Sequence, residues 1–386
     1  MRALNRFAAA AATAGAALAV SAAGAGAATA TTPQPEHQGG FAQAAGAVFV
    51  QTDNLSGNQI VAYSRAANGT LTEAGIYPTG GLGGELQGSV VDHLASQASL
   101  VYDRQAGLLF SVNAASNTIS VFAVSGDRLA LRQVISSGGT FPVSIAVQGP
   151  LLYVLNAENG GSVQGFAVAF GRLFALSGTS RPLGLNPAAE PQFVNTPGQV
   201  AFSPNGSQLI VTTKANGSDI DVFHIGFLGR LSATPVVNSE PGAVPFSLAF
   251  DQAGNLLVTE AGPNALASFK LSADGTVTQL DTVATGDKAT CWITEADGRF
   301  YLSNAGSGAL SGFTSSPGGQ LTLLGEQATD GGTVDTSASS DGRFLYVQTG
   351  ATGIVDEFAI APNGALNEVG TVTVPGAVGG EGIVAS

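Results

Sequence analysis

An all-β, seven-bladed propeller is the fold class that this sequence predicts, and two repeated phrases predict it. The first is a glycine turn followed by Leu or Val. Its copies are Gly69-Thr70-Leu71, Gly126-Asp127-Arg128-Leu129, Gly171-Arg172-Leu173, Gly229-Arg230-Leu231, Gly275-Thr276-Val277, Gly319-Gln320-Leu321 and Gly364-Ala365-Leu366. The second keeps step upstream, as Phe49-Val50, Phe110-Ser111, Tyr153-Val154, Ile210-Val211, Leu257-Val258, Tyr301-Leu302 and Tyr346-Val347. Four intervals between copies are 43 to 47 residues long and two are 57 to 61. Short strands repeating at roughly 40–50 residues are the mark of a propeller blade, and seven copies mean seven blades. The chain has 386 residues, yet one domain is expected, because a blade cannot bury its faces without its neighbours.

The N-terminus is a separate object. Arg2 and Arg6 precede an apolar run of small residues from Ala8 to Gly24, and Ala25-Gly26-Ala27 or Ala28-Thr29-Ala30 fits a cleavage site. This pattern predicts a secretory signal peptide over 1–30, a flexible leader over 31–46 and the propeller over 47–386. A retained N-terminal anchor is the other reading. Without Arg2 and Arg6, 12 basic residues face 27 acidic ones, a net charge of −15, which argues against nucleic acid as a partner. The single cysteine, Cys291, excludes an internal disulfide.

Each unit reads as four strands, a to d. In the third unit these are Val143–Val147, Leu151–Leu155, Ser162–Val168 and Leu173–Ser177. The a–b turns carry hairpin signals such as Asn205-Gly206, Asp297-Gly298 and Asp341-Gly342. The first unit begins at strand b, near Ala47. The last strand d, Asn367 to Val374, leaves Glu381 to Ala385 over as a spare strand a. That segment is expected to pair with Ala47 to Gln51 and close the ring, which removes the open sheet edges.

Antiparallel neighbours sort the loops onto two faces. The a–b and c–d turns lie at the bottom, and the b–c and d–a loops at the top. Both long intervals come from d–a insertions, Thr79 to Ala98 and Gly178 to Pro197, so both insertions belong to the top. Long loops on one face of a repeat fold mark a binding face or merely cap the channel. Nine of the 12 basic residues fall in or beside bottom turns, and eleven acids, Asp92, Glu158, Glu260, Asp335 and Glu381 among them, map to the top. An acidic mouth would focus its field into the channel and repel phosphorylated anions.

Several phrases resemble the seven-bladed lactonase family, which groups phosphogluconolactonase-type and carboxymuconate-cyclase-type propellers. They are Leu109-Phe110-Ser111-Val112-Asn113-Ala114 with Asn117-Thr118-Ile119-Ser120-Val121-Phe122, then Leu152-Tyr153-Val154-Leu155-Asn156, Pro245-Phe246-Ser247 and Cys291-Trp292. The resemblance runs from about Ala47 to the end and implies a divergent member, which the signal-like N-terminus would make a secreted one. It also implies a Pro-Arg-His phrase and a Glu after the following strand b in catalytic relatives. Here the fourth unit reads Pro197-Gly198-Gln199, and its strand b ends Thr213-Lys214.

Lactone hydrolysis needs a base for water and a donor for the developing oxyanion. His93, beside Asp92 in a top loop, is a candidate base or a loop histidine bonded to backbone. Glu260 and Asp335 are candidate base, metal ligand or channel lining. Lys214 is the sole cation at a strand b end and a candidate oxyanion donor. Asp92, Glu158, Asn156, Asn304 and Trp292 are candidate substrate-binding residues. Recurrence of Asn113, Asn156 and Asn304 at one slot also fits a structural task. Cys291 reads as a small buried hydrophobe or a nucleophile. Asp92, Glu260, Asp335 and Glu381 are the set expected to hold Ca2+ if a metal is bound, and no other cofactor is required. The expected function is a secreted lactonase-like hydrolase acting on a neutral or sugar-derived lactone. The alternative is a catalytically silent extracellular binding or scaffold propeller. The expected partner is a small lactone or carbohydrate, with no membrane contact after signal cleavage and a monomeric state.

Overall fold

The computed structural model describes residues 45–386. The signal peptide and most of the leader predicted from the sequence lie outside these residues. Among the described residues are seven antiparallel sheets arranged blade by blade. In blade three, for example, strands a to d are Pro142–Gln148, Leu151–Asn156, Ser162–Ala169 and Arg172–Ala175. The short strand Arg181–Pro182 pairs at the other end of strand c. Each strand agrees with its predicted counterpart to within a residue or two, since alternation and turn chemistry set these limits locally.

The ring closes as expected. Val48, Phe49 and Val50 of Gly46–Gln51 pair with Ala385, Val384 and Ile383. Gln51 donates its N–H to Gly382 at 2.8 Å, and Ser386 donates its own to Ala47 at 2.8 Å. Blade one thus takes its strand a from the chain's C-terminus.

The period-2 alternation of strand b decides the packing between blades. Val48 and Val50 pack toward blade seven, with Phe344, Tyr346 and Val355. Ala47 and Phe49 point the other way, onto Leu100, Leu109 and Phe122 of blade two. Every strand b is therefore apolar on both faces, and each fully buried Val or Phe contributes roughly 1.5–3 kcal/mol.

The two repeated phrases meet in space. Tyr301 donates its hydroxyl to the Gly364 carbonyl at 2.9 Å, and Tyr346 to Gly69 at 2.8 Å. Tyr153 makes the same bond to Gly229. A strand b tyrosine of one blade thereby pins the c–d turn of the next. The turn glycines are required at these places: Gly69 has φ +94, and a Cβ there would lie 2.3 Å from the Phe344 ring.

Candidate functional site

The first d–a insertion does not stay on the rim. Its residues 92–99 enter the mouth of the channel and bind several blades at once. Ser96 donates its hydroxyl to the Val143 carbonyl of blade three at 2.9 Å and to Glu381 Oε2 at 3.0 Å. Trp292 of blade six donates Nε1–H to the Ser96 carbonyl at 2.6 Å. Gln97 pairs reciprocally with Ile293: Nε2 donates to its carbonyl at 2.6 Å, and Oε1 accepts its N–H at 3.0 Å. Strand a is the innermost of each blade, so its free edge faces the channel. Gln97 satisfies that edge as another strand would.

Lys214 ties this plug to the second insertion. Its ammonium donates to the Ala95 carbonyl at 2.5 Å, the Phe193 carbonyl at 2.6 Å and Thr196 Oγ1 at 3.2 Å. It also lies 5.3 Å from the centre of the Phe246 ring. The side chain is fully buried, and burial lowers its pKa to about 7 against the opposing charges of Asp92, Cys291 and Glu381.

Beside Lys214 is a cavity of about 270 Å3 between the plug, the second insertion and blades four to six. Val91, Phe193, Val244, Phe246, Ala261 and Trp292 make most of its wall apolar. Asp92 and Lys214 are the charged residues that line it. Phe246 and Trp292 meet edge to face at 5.0 Å between ring centres. Cys291 also lines the wall, and burial pushes its thiol up to about 12, which leaves it a poor nucleophile.

Asp92 is held by its own loop: Oδ1 accepts the Leu94 N–H at 2.8 Å and Oδ2 the Ser96 N–H at 3.0 Å. Burial raises its pKa to about 6, while those N–H groups and Lys214 act in the opposite direction. A carboxyl and an ammonium that titrate near neutrality on one apolar cavity can exchange protons as an acid–base pair.

The other predicted residues lie elsewhere. His93 packs its ring against Gly379, is absent from the cavity wall, and leaves Nδ1 buried without a partner among the described residues. It does not bond Asp92, because consecutive residues of an irregular loop point apart. Glu260 is buried at the end of strand b in blade five; burial, then the Glu240 charge, raises its pKa to about 7. Asp335 lies below the plug, where Thr336 donates its N–H to Oδ1 at 2.9 Å and Ile383 its N–H to Oδ2 at 3.4 Å. Burial raises its pKa to about 7, and the Asp92 charge adds to this. Among the described residues no hydrogen bond joins His93, Glu260 and Asp335 to one another, so the three candidate bases and acids do not form one site.

Four of the acids expected at an open rim are buried instead: Asp53, Asp92, Asp335 and Glu381 are each no more than 4% exposed, whereas Glu85, Glu190 and Asp330 remain exposed. Glu381 and Asp53 are both raised well above the ordinary carboxylate range by burial. Among the described residues, no three or more His, Cys, Asp or Glu side chains are arranged to hold a metal ion. Glu260 shares no contact with the other three residues of the expected Ca2+ set, and those three have backbone N–H groups or Ser96 on their oxygens.

Asn304 has a structural task. Its Oδ1 accepts from Thr290 at 2.6 Å, and its Nδ2 donates to Asp287 at 2.9 Å and Ser311 at 2.8 Å. Asn113 does the same in blade two, bonding Thr79 at 2.6 Å and Ser120 at 2.8 Å. Asn156 is buried, with neither amide atom bonded among the described residues. Glu158 lines a separate top recess of about 80 Å3 with Asn186 and Asn216. Gln97 and Phe193 were missed by sequence reasoning. Their only signal was membership of the two long insertions.

The sequence pattern of the family described as Lactonase, 7-bladed beta-propeller matches residues 256–381. No curated protein matches the chain. Solved structures of the same fold do. The periplasmic gluconolactonase of Pseudomonas aeruginosa is 19% identical, with a TM-score of 0.69 over 88% of this chain and 98% of that one. A candidate 6-phosphogluconolactonase of Bacteroides fragilis is 19% identical, with a TM-score of 0.67 over 88% and 97%. Another from Bacteroides uniformis is 17% identical, with a TM-score of 0.70 over 88% and 99%. At these identities the likeness establishes the fold alone. The chain is a seven-bladed β-propeller that carries the lactonase family pattern over its last three blades.

Proposed function

We propose that the protein is a lactonase-type hydrolase that takes a small, uncharged, largely apolar lactone into the cavity between blades four and six. One observation carries this reading: Asp92 and Lys214 are the charged groups on an otherwise apolar wall. Ionised Asp92 takes a proton from water as the water oxygen adds to the lactone carbonyl carbon. The carbonyl oxygen becomes an oxyanion, which the Lys214 ammonium stabilises through its charge in a low-dielectric site. The ring C–O bond then breaks, and the departing alkoxide recovers the proton from Asp92. Lys214 acts through its field, since its three protons are already bonded within the protein. A phosphorylated lactone fits poorly, because the wall has no arginine to receive a phosphate. The positive n-region and apolar run of the N-terminus support export of the mature protein.

The test is a panel of neutral and phosphorylated lactones. Asp92→Asn is expected to lower kcat by about 10² or more, while His93→Ala and Glu260→Ala keep most of the activity. The rate should rise to about pH 6 as Asp92 ionises and fall above about pH 7 as Lys214 loses its proton. Turnover unchanged by Asp92→Asn would reject the assignment.

The saturated hydrogen bonding of Lys214 favours a second reading, a binding propeller without turnover. Calorimetry that detects lactone binding with no product formed would select it.

A further inference from the structure

We propose that the bottom face of blades three and four docks on an anionic lipid surface. The c–d turns of these neighbouring blades end in Phe170-Gly171-Arg172 and Phe227-Leu228-Gly229-Arg230. Phe170 is 97% exposed, Phe227 86% and Leu228 67%. The other five c–d turns present polar residues or Gly and Pro, such as Asn68-Gly69, Asp274-Gly275 and Asn363-Gly364. Those are the residues that a tight turn ordinarily selects.

The backbone makes the choice stand out further. Phe170 has φ 53 and Leu228 φ 57, the left-handed region that bulky side chains rarely adopt. Both positions therefore combine backbone strain with exposure of an apolar side chain, and neither feature stabilises the fold. Large apolar groups presented this way mark a contact surface.

Charge selects the occupant. Arg172 and Arg230 are exposed and form no salt bridge among the described residues. Blades two, five, six and seven carry acids in their bottom turns, as with Asp127, Asp251, Asp297 and Asp341. The a–b and c–d turns of blades three and four carry none, so this sector is locally positive on an acidic protein. Apolar tips that insert at the level of the headgroups, flanked by guanidinium groups, suit an anionic bilayer. The docking would leave the top-face cavity open to solvent, since the two faces are opposite ends of the strands.

The test is co-sedimentation of the full chain with vesicles of phosphatidylcholine alone and of phosphatidylcholine with phosphatidylglycerol. Every protein compared keeps residues 1–44, so differences read the face itself. The combined Phe170→Ser, Phe227→Ser and Leu228→Ser variant should bind mixed vesicles at least about tenfold more weakly. Arg172→Glu with Arg230→Glu should abolish the preference for phosphatidylglycerol, and added salt should weaken wild-type binding. Circular dichroism melts confirm that both variants stay folded. Equal binding by wild type and variants would overturn the proposal. So would a preference for phosphatidylglycerol that survives the Arg changes, or light scattering in which the apolar variant loses only self-association.

Discussion

Single side chains in this protein are defined by where the plug puts them. Asp92 and His93 are neighbours in sequence, yet Asp92 lines the cavity and His93 lies against Gly379. Asp335 shows the energetic side. Its folded pKa, about 7, exceeds its ordinary value of 3.8 because burial disfavours the charge. A carboxyl raised in this way binds its proton more tightly when folded, so its contribution to stability is full below 3.8 and is lost as pH rises through about 7. Asp335→Asn keeps the shape without the charge. The variant's stability should therefore gain on wild type between pH 4 and pH 8, by an amount on the order of 1–3 kcal/mol, and its melting midpoint should rise with it. Thermal melts of both proteins across that range check this. A constant difference at every pH would show that Asp335 titrates alike in the folded and unfolded chain, so that burial does not raise its pKa.

At the scale of the element, the plug is the decisive feature. It replaces the open mouth that the charge map suggests with a segment pinned to blades three, four and six and to the C-terminal strand. Gln97 carries much of this attachment. Gln97→Ala leaves the N–H and carbonyl of Ile293 unpaired at a buried edge, which costs about 1–3 kcal/mol. A melting midpoint lower by several degrees is expected, with the blades otherwise intact. If Gln97→Ala melts like wild type, water replaces the side chain and the plug is held mainly by Lys214 and Trp292.

For the whole molecule, closure is the term that couples all seven blades. Deleting 382–386 removes the three ladder pairs of Val48, Phe49 and Val50 and exposes an unpaired strand edge in blade one. It also removes Ile383 and Ala385 from the core shared with blade seven. The shortened protein should unfold at a markedly lower temperature and aggregate as it does so, as read by melts with light scattering. Unchanged melting would mean that blade one is stable as three strands.

The blade count, strand limits, closing strand and the face of each insertion were all legible in the sequence. Each rests on local rules: strand alternation, glycine turns and a repeat that brings equivalent residues to equivalent places. The structural task of Asn304 was legible for the same reason, because its partners Thr290 and Ser311 belong to its own blade. The cavity was not legible. Lys214 and Trp292 were singled out as isolated residues, but nothing in the sequence joins them to Asp92, Phe193 and Phe246. Their meeting depends on contacts such as Gln97 with Ile293, which lie 196 residues apart. Such contacts exist only after the ring has closed and given an irregular insertion a channel to enter. Burial by that insertion, rather than residue type, then sets which carboxyls stay charged.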